Sequence, residues 1–477
     1  MKISAHAVGR MVGTWREGPG PAHQRLSDRL RLLILDGRLC LGAALPGERD
    51  LATALGTSRT TVGAAYRTLV DHGYLATRER ARATVRLPHE DAPAGRRGDG
   101  ADAGGDSEGI DLSFAAPPAP SEILHAAFAT ALERLPLHFE RHGYDRYGTA
   151  ELREAVAGWY GRRGLPTSPD HVMITNGAQN AIGLLARTLL SPRDKVLIDH
   201  PTYPHAIRAF TDARARLLPV ALGPSGWDVP QLLAAARSAQ LAYLIPDFHN
   251  PTGMYMPASV RRSLRPACPT IIDETLADLG PEAADPDPAV DPAAQPFAAT
   301  HSTAISVGSV SKSIWGGLRI GWIRAVPVLL ERVAGARPAT DLGTPVVEQL
   351  ATAVLLDGGQ TRRPEALLHL RTQQDALLGA LAEHLPEVHA PRAAGGVTLW
   401  ARFPEPVGSR LAAIAPDHGV TIAAGPRFGV GGAFERHVRL PYTLPPARLT
   451  EAVRRLAAAH RALTAGATGI HTPAAVA

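Results

Sequence analysis

The 22 residues from Pro88 to Gly109, PHEDAPAGRRGDGADAGGDSEG, contain no bulky apolar side chain. Such a stretch cannot bury enough surface to offset its ordering entropy, so it cannot be part of a core. It divides the 477-residue chain into a unit at 21–88, a linker at 89–110, a large unit at 111–466 and a disordered tail at 467–477. As a Gly-rich coil the linker has an end-to-end distance of roughly 25 Å. The first unit therefore reads as tethered to the second, with no requirement that it dock. The hydrophobic content of 45% is enough for a sizeable core. No apolar run is long enough to span a membrane, and Met11 to Glu17 is too polar for a signal-peptide core. Cys40 and Cys268 are the only cysteines, too few for a disulfide framework. A cytoplasmic protein is the expectation. The net charge of +5 says little about partners; the placement of the basic residues says more.

In the first unit, Leu26, Leu30, Leu33 and Ile34 recur at helical spacing and predict a helix over 23–35. A second short helix is expected over 48–55. The tight turn Gly56-Thr57-Ser58 leads into a third, over 59–72, which Gly73 ends. A two-stranded wing follows, from Tyr74-Leu75 to Val85 and Leu87. This is the plan of a winged helix-turn-helix. The third helix opens on Ser58, Arg59, Thr60 and Thr61, short or cationic residues suited to entering a major groove. Its buried face would be Val62, Ala65, Tyr66 and Leu69. Arg78, Arg80, Arg82 and Arg86 make the wing basic, as phosphate contact requires. A small helical protein-interaction domain is the competing reading. Against it, the run LILDGRLCLGAALPGERDLATALGTSRTTVGAAYRTLVDHGYL resembles the GntR-type winged-helix family. That resemblance implies DNA contacts from Arg49, Ser58, Arg59, Thr60 and Thr61. The wing tip Glu79-Arg80-Ala81-Arg82-Ala83 replaces the family's glycine-rich tip, which leaves the minor-groove contact less defined.

The large unit alternates strand-like apolar runs with Ala/Leu-rich helical stretches. That pattern predicts an α/β fold on a mainly parallel sheet, with ligands at the carboxyl ends of the strands. The stretch 281–299 reads as an exposed loop. Each strand runs into a motif. Thr175 leads to Asn176-Gly177-Ala178-Gln179 and a helix, whose N-terminal N–H groups suit a phosphate. Ile198 leads to Asp199-His200-Pro201-Thr202-Tyr203, where Tyr203 is either a packed loop residue or a stacking platform for a flat ring. Ile245 leads to the loop holding Asn250, a candidate hydrogen-bond partner for a ring substituent. Ile272 leads to Asp273-Glu274. A carboxylate there is either solvated or paired to a pyridinium nitrogen.

Lysine usage sharpens the choice. Lysine and arginine total 50, yet the only lysines are Lys2, Lys195 and Lys312. Lys2 is terminal and Lys195 follows a turn signal, as a solvated strand start would. Lys312 sits in Ser309-Val310-Ser311-Lys312-Ser313-Ile314-Trp315-Gly316-Gly317-Leu318-Arg319. It is either a surface lysine in a Gly/Ser loop or an amine that forms a Schiff base, which arginine cannot do. Pyridoxal phosphate (PLP) enzymes use such a lysine with an acid for the ring nitrogen.

In order, GTAELREAVAGWYGRRG, TNGAQNAI, HPTYP, HNPTG, IIDE and SVSKSIWGGLRIGW resemble fold-type I aminotransferases from about Tyr144 to Arg439. The resemblance implies Lys312 as the Schiff-base lysine and Asp273 as the ring-nitrogen partner. Asn250 would lie near the ring hydroxyl and Tyr203 would stack on the ring. Gly177, Ala178, Gln179, Ser309, Ser311 and Arg319 would surround the phosphate. Arg439 matches the arginine that clamps a carboxylate, and Tyr144 or Tyr147 would reach the phosphate site of a neighbouring subunit. Thr275 stands where such proteins usually carry a tyrosine and is too short to replace it. A GntR-type winged helix joined to this domain is similar to the MocR (GabR-like) regulators. They imply a homodimeric, head-to-tail, PLP-binding transcription regulator on double-stranded operator DNA, sensing an amine, an amino acid or PLP itself. A working aminotransferase with a DNA-binding appendage is the alternative, and a PLP-free binding protein a further one.

Overall fold

The computed structural model describes residues 3–16, 20–35, 38–39, 43–77, 82–86, 109–280, 295–301 and 303–468. Arg78 and Arg80 of the wing, Lys2, the linker before Gly109, residues 281–294 and the tail beyond Thr468 lie outside the described residues.

Among the described residues, four helices build the N-terminal module: α1 (Ala5–Val12), α2 (Ala22–Leu35), α3 (Glu48–Leu55) and α4 (Arg59–Asp71). Helix α1 was not expected, and it starts the module before residue 21. Ser4 caps it by accepting from the Ala7 N–H, and its Val8 and Val12 join Trp15 in the same core as α2 to α4. Gly56 ends α3 in the left-handed region, where a side chain would be strained, and Ser58 then caps α4 through the Thr61 N–H at 3.0 Å. Val62, Ala65, Tyr66 and Leu69 are buried, as their spacing predicted. Each large apolar side chain buried this way contributes about 1.5–3 kcal/mol. The strands Leu75–Ala76 and Thr84–Val85 pair antiparallel as the wing.

Among the described residues, the large unit centres on eight strands in one sheet. Their order is Val172–Thr175, Gly321–Arg324, Ala304–Ser309, Thr270–Asp273, Leu241–Leu244, Lys195–His200, Arg216–Gly223 and Gly226–Trp227. The five from Ala304–Ser309 to Arg216–Gly223 are parallel, and Gly321–Arg324 is antiparallel to its neighbours. Four of the parallel strands are buried almost throughout because helices cover both faces. Buried Arg337 anchors the end of Val172–Thr175 by donating to the carbonyls of Arg146 and Ile174 at 2.8 Å each.

A second sheet, ordered Thr398–Arg402, His437–Pro441, Val420–Ala424 and Ile110–Leu112, forms a smaller lobe against the helices Pro364–His384 and Pro446–Thr468. Three boundaries move. Ile110, placed in the linker from sequence, is buried and pairs with Val420. Ala467 and Thr468, placed in the tail, continue the last helix. The loop expected over 281–299 stops short of Phe297, whose ring stacks on His301 inside the core. A lone aromatic in a Pro/Ala-rich stretch carries no periodicity, so its burial was not readable.

The N-terminal module is seated on the small lobe. Arg29, almost fully buried, donates to Ser409 Oγ at 3.2 Å and lies 3.5 Å from Glu435. Asp28 faces Arg410 at 3.5 Å, and Arg31 donates to the Ala413 carbonyl. A Cβ on Gly13 would lie 2.1 Å from the Gly431 carbonyl, so the two backbones touch.

Candidate functional site

The carboxyl ends of the sheet open into a cavity of about 410 Å³. It is lined by all eleven residues picked from the sequence for this site: Gly177, Ala178, Gln179, Tyr203, Asn250, Asp273, Ser309, Ser311, Lys312, Arg319 and Arg439. Six separate chain segments deliver them.

At one end the helix Ala178–Leu189 points its N-terminus into the cavity. Gly177 caps it at φ 81°, and a Cβ there would come within 2.9 Å of Arg319 Nη2. Gly321 passes so close behind that its own Cβ would meet the Gly177 carbonyl carbon at 2.5 Å. These glycines let two backbones and a guanidinium converge on one point. Arg319 is held by the carbonyls of Asn176 and Gly316 at 3.2 and 3.3 Å. Ser309 Oγ donates to the Ile320 carbonyl and accepts from the Ser311 N–H, which ties the two sides of this loop together. Helix N-terminus, backbone N–H groups and arginine make an anion cradle.

Lys312 Nζ donates to the Ala115 carbonyl at 2.8 Å. Burial, then the nearby Arg439 charge, push its amine down to about 8, with Asp273 opposing. Asp273, at the end of Thr270–Asp273, accepts from the Thr275 N–H at 3.0 Å and from the Tyr243 hydroxyl at 2.7 Å. Tyr203 sits beside this pair; burial and the Asp273 charge push its phenol up to about 12. Arg439 donates to the Ser113 carbonyl and lies over the Phe428 ring at 5.1 Å. Burial, then Arg427, lower its guanidinium to about 10. Burial and three cations, Arg427 first, also lower His205 on the rim.

Lys312, Arg319 and Arg439 face a single carboxylate, so the lining carries an excess of positive charge. Inside it, Asn250 Oδ1, Thr275 Oγ1, Gln179 Oε1 and Arg439 Nε are buried with no hydrogen-bond partner among the described residues. Orphaned polar atoms around an electropositive cavity fit an anionic, polar-edged occupant. PLP has that character: a phosphate for the cradle, an aldehyde for Lys312 and a ring nitrogen for Asp273.

Reading the sequence missed several contributors. Ser113 and Ala115 hold Arg439 and Lys312 through main-chain carbonyls, which no side-chain motif reports. Tyr243 lies in a strand buried on both faces, so alternation could not single it out. Phe428 closes the arginine site from the loop that leads into the His437–Pro441 strand. Thr275 does face the cavity, but among the described residues its hydroxyl has no hydrogen-bond partner, neither Asp273 nor Tyr203 included.

The residues expected from the sequence to contact DNA lie together on the module. Arg49, Ser58, Arg59 and Thr60 are exposed at the N-terminus of α4 and the start of α3, with Thr61 beside them half-buried. Arg59 Nε pairs with Glu48 at 3.2 Å, both exposed. In the wing, Arg82 reaches Asp50 at 3.8 Å.

Residues 108–456 match the class I and II aminotransferase family, and residues 22–85 the gntR family of bacterial regulatory proteins. The 2-aminoadipate transaminase of Thermus thermophilus is 32% identical over 329 residues, 67% of this chain and 81% of that protein. The HTH-type transcriptional regulator TauR of Rhodobacter capsulatus is 27% identical across 93% of this chain and 97% of its own. The crystal structure of the alpha-aminoadipate aminotransferase LysN of Thermus thermophilus, complexed with N-(5'-phosphopyridoxyl)-L-leucine, superposes with a TM-score of 0.67. It is 29% identical, over 75% of this chain and 93% of that one. PLP is accordingly the cofactor that this domain takes. The chain belongs to the class I and II aminotransferase family, in the MocR-like arrangement that joins such a domain to a gntR-type DNA-binding module.

Proposed function

We propose that the protein is a PLP-dependent transcription regulator that binds operator DNA through its N-terminal module and senses an amino compound in the aminotransferase-like domain. The observation that carries this reading is the coexistence, in one chain, of a complete cofactor cavity and a solvent-facing helix-turn-helix seated on the lobe that holds Arg439. A regulator of DNA acts where DNA is, so the cytoplasm is its place.

When bound, PLP supplies an electrophilic carbon and an electron-withdrawing ring. The chain's residues supply the rest. Lys312 offers an amine, part of it neutral near physiological pH, held toward the cavity by the Ala115 carbonyl. The Ala178–Leu189 helix N-terminus and Arg319 hold the phosphate. Asp273 would keep a proton on the ring nitrogen, Asn250 would meet the ring edge, and Tyr203 would cover its face. Arg439 takes the effector's carboxylate in a bidentate grip that lysine could not reproduce. Arg49, Ser58, Arg59, Thr60 and Thr61 contact DNA, with Arg78 and Arg80 on its backbone.

A head-to-tail homodimer completes the design. Phe114, Leu137, Phe139 and Tyr144 are large apolar side chains left 63–79% exposed, and Phe114 adjoins the segment that holds Lys312 and Arg439. A second copy is the partner that would cover them.

The test is to reduce the PLP-loaded protein with borohydride and map the modified residue, then to mix protein, amine and a ketoacid acceptor. Label on Lys312, loss of the label in Lys312→Ala, and an effector-dependent change in the DNA footprint are expected. Label on Lys195 would overturn the site. Sustained turnover at about 1 s⁻¹ or faster, as in dedicated enzymes, would make the protein a working aminotransferase.

A further inference from the structure

We propose that Tyr243 is a positioning residue for the cofactor: its hydroxyl sets the Asp273 carboxylate that meets the PLP ring nitrogen. The proposal rests on the reading of the cavity as a PLP site.

Tyr243 lies on Leu241–Leu244, the strand next to Thr270–Asp273, in parallel register with Ile271. Its side chain runs forward along the sheet and reaches the last residue of the neighbouring strand. There the hydroxyl donates to Asp273 Oδ2 at 2.7 Å. The other oxygen, Oδ1, accepts from the Thr275 N–H at 3.0 Å. One donor on each oxygen fixes the carboxylate plane, and each oxygen keeps a lone pair for a further donor. Tyr243 is fully buried and is absent from the cavity lining, so it touches no occupant and acts only through Asp273. Its ring is held edge-on against Phe210 at 5.7 Å, which leaves the phenol little freedom to swing away.

A phenol suits this place. Burial and the Asp273 charge hold its hydroxyl proton far more tightly than in water, so it stays a donor across the physiological range. Thr275 contributes only its backbone N–H to Asp273. Tyr243 is therefore the one side-chain hydroxyl, among the described residues, that donates to Asp273. A buried carboxylate that loses such a donor loses both its orientation and part of the field that keeps its charge stable.

The experiment compares the full-length protein with Tyr243→Phe, Asp273→Asn and the double variant. PLP affinity is measured by titration of the apo-protein, and the protonation of the ring nitrogen by NMR of ¹⁵N-labelled PLP across pH. Tyr243→Phe should weaken PLP binding by about tenfold, the scale of one charge-assisted hydrogen bond. It should also lower the pH at which the ring nitrogen loses its proton. In the Asp273→Asn background the same change should have no further effect on either readout. An affinity within twofold of wild type with an unmoved ¹⁵N signal would overturn the proposal. So would an undiminished loss in the double variant, which would mark Tyr243 as a packing residue only. A second measurement does not depend on that variant folding: 3-fluorotyrosine placed at 243 keeps the hydroxyl, and its ¹⁹F signal should shift on adding PLP. An unshifted signal while PLP binds would equally sink the idea. Failure of every variant, and of the wild type, to bind PLP would instead strike the cofactor reading itself.

Discussion

Lys312 is the residue whose chemistry depends most on its surroundings. Its amine is lowered from 10.5 to about 8, chiefly by burial and then by Arg439. The neutral amine is the nucleophile, so the rate at which the apo-protein captures PLP should climb with pH and level off above a midpoint near 8. Stopped-flow absorbance would check it; a rate still rising to pH 10.5 would mean an unperturbed lysine. The same shift has a stability consequence. Between about pH 8 and 10.5 the unfolded chain holds the proton and the folded apo-protein does not. The unfolded state then binds more protons, so stability should rise with pH across that window. Denaturant midpoints of apo wild type and Lys312→Met would show it, and the slope should vanish in the variant. Arg439 is the counterpart on the effector side. Arg439→Lys removes the planar fork, and affinity for a carboxylate-bearing effector should fall at least about tenfold, while PLP binding changes little.

Two helix starts decide what the molecule can hold. At the first, Gly177 combines a left-handed φ with close approach to Arg319. Gly177→Ala should strain the turn and push the guanidinium away, lowering PLP affinity at least about tenfold while the gntR-type module still binds DNA. At the second, Ser58 caps α4 and Arg59 waits beside Glu48. Ser58→Ala should cost about 1 kcal/mol of module stability through loss of the cap. The Arg59–Glu48 pair is too exposed to contribute much to folding. Its partner is better read as a counter-ion that DNA phosphates displace. Arg59→Ala should abolish specific operator binding, and Glu48→Gln should strengthen binding at low salt, both readable by fluorescence anisotropy. Unchanged operator affinity in Arg59→Ala would remove α4 from the interface.

At the scale of the whole molecule, one loop joins the two sites. Residues 425–436 place Phe428 under Arg439, bond the Phe428 carbonyl to the Thr202 N–H next to Tyr203, and set Phe434 against His200. The same loop presents Gly431 and Gly432 to Gly13 and Glu435 to Arg29. Glu435 is buried enough that desolvation raises its carboxyl, with Arg29 and Ser409 opposing. Removing one member of such a pair leaves the other buried and uncompensated. Arg29→Ala should therefore loosen the module from the small lobe and uncouple effector from DNA. PLP and DNA would each still bind, but an effector that shifts the wild-type footprint would no longer do so. Limited proteolysis of the linker region, faster in the variant, would report the loosening directly. An intact effector response in Arg29→Ala would show that coupling runs elsewhere.

Much of this was written locally in the chain. The linker's composition separated two units, helical spacing placed the buried face of α4, and short motifs, read together with the resemblance to aminotransferases, picked out eleven residues that line one cavity. Those features depend on neighbours in sequence: a cap, a turn, a strand end. What folding decided depends on distant partners. Nothing near Tyr243 in the chain points to Asp273, since the contact exists only because Leu241–Leu244 and Thr270–Asp273 are adjacent strands. Ser113 and Ala115 act through main-chain carbonyls, where side-chain identity carries no signal. The seat of the DNA module was likewise beyond a linear reading. The linker's composition permits docking without requiring it, and the choice was made by Arg29, Asp28 and Gly13 meeting Glu435, Arg410 and Gly431 across some 400 residues of chain.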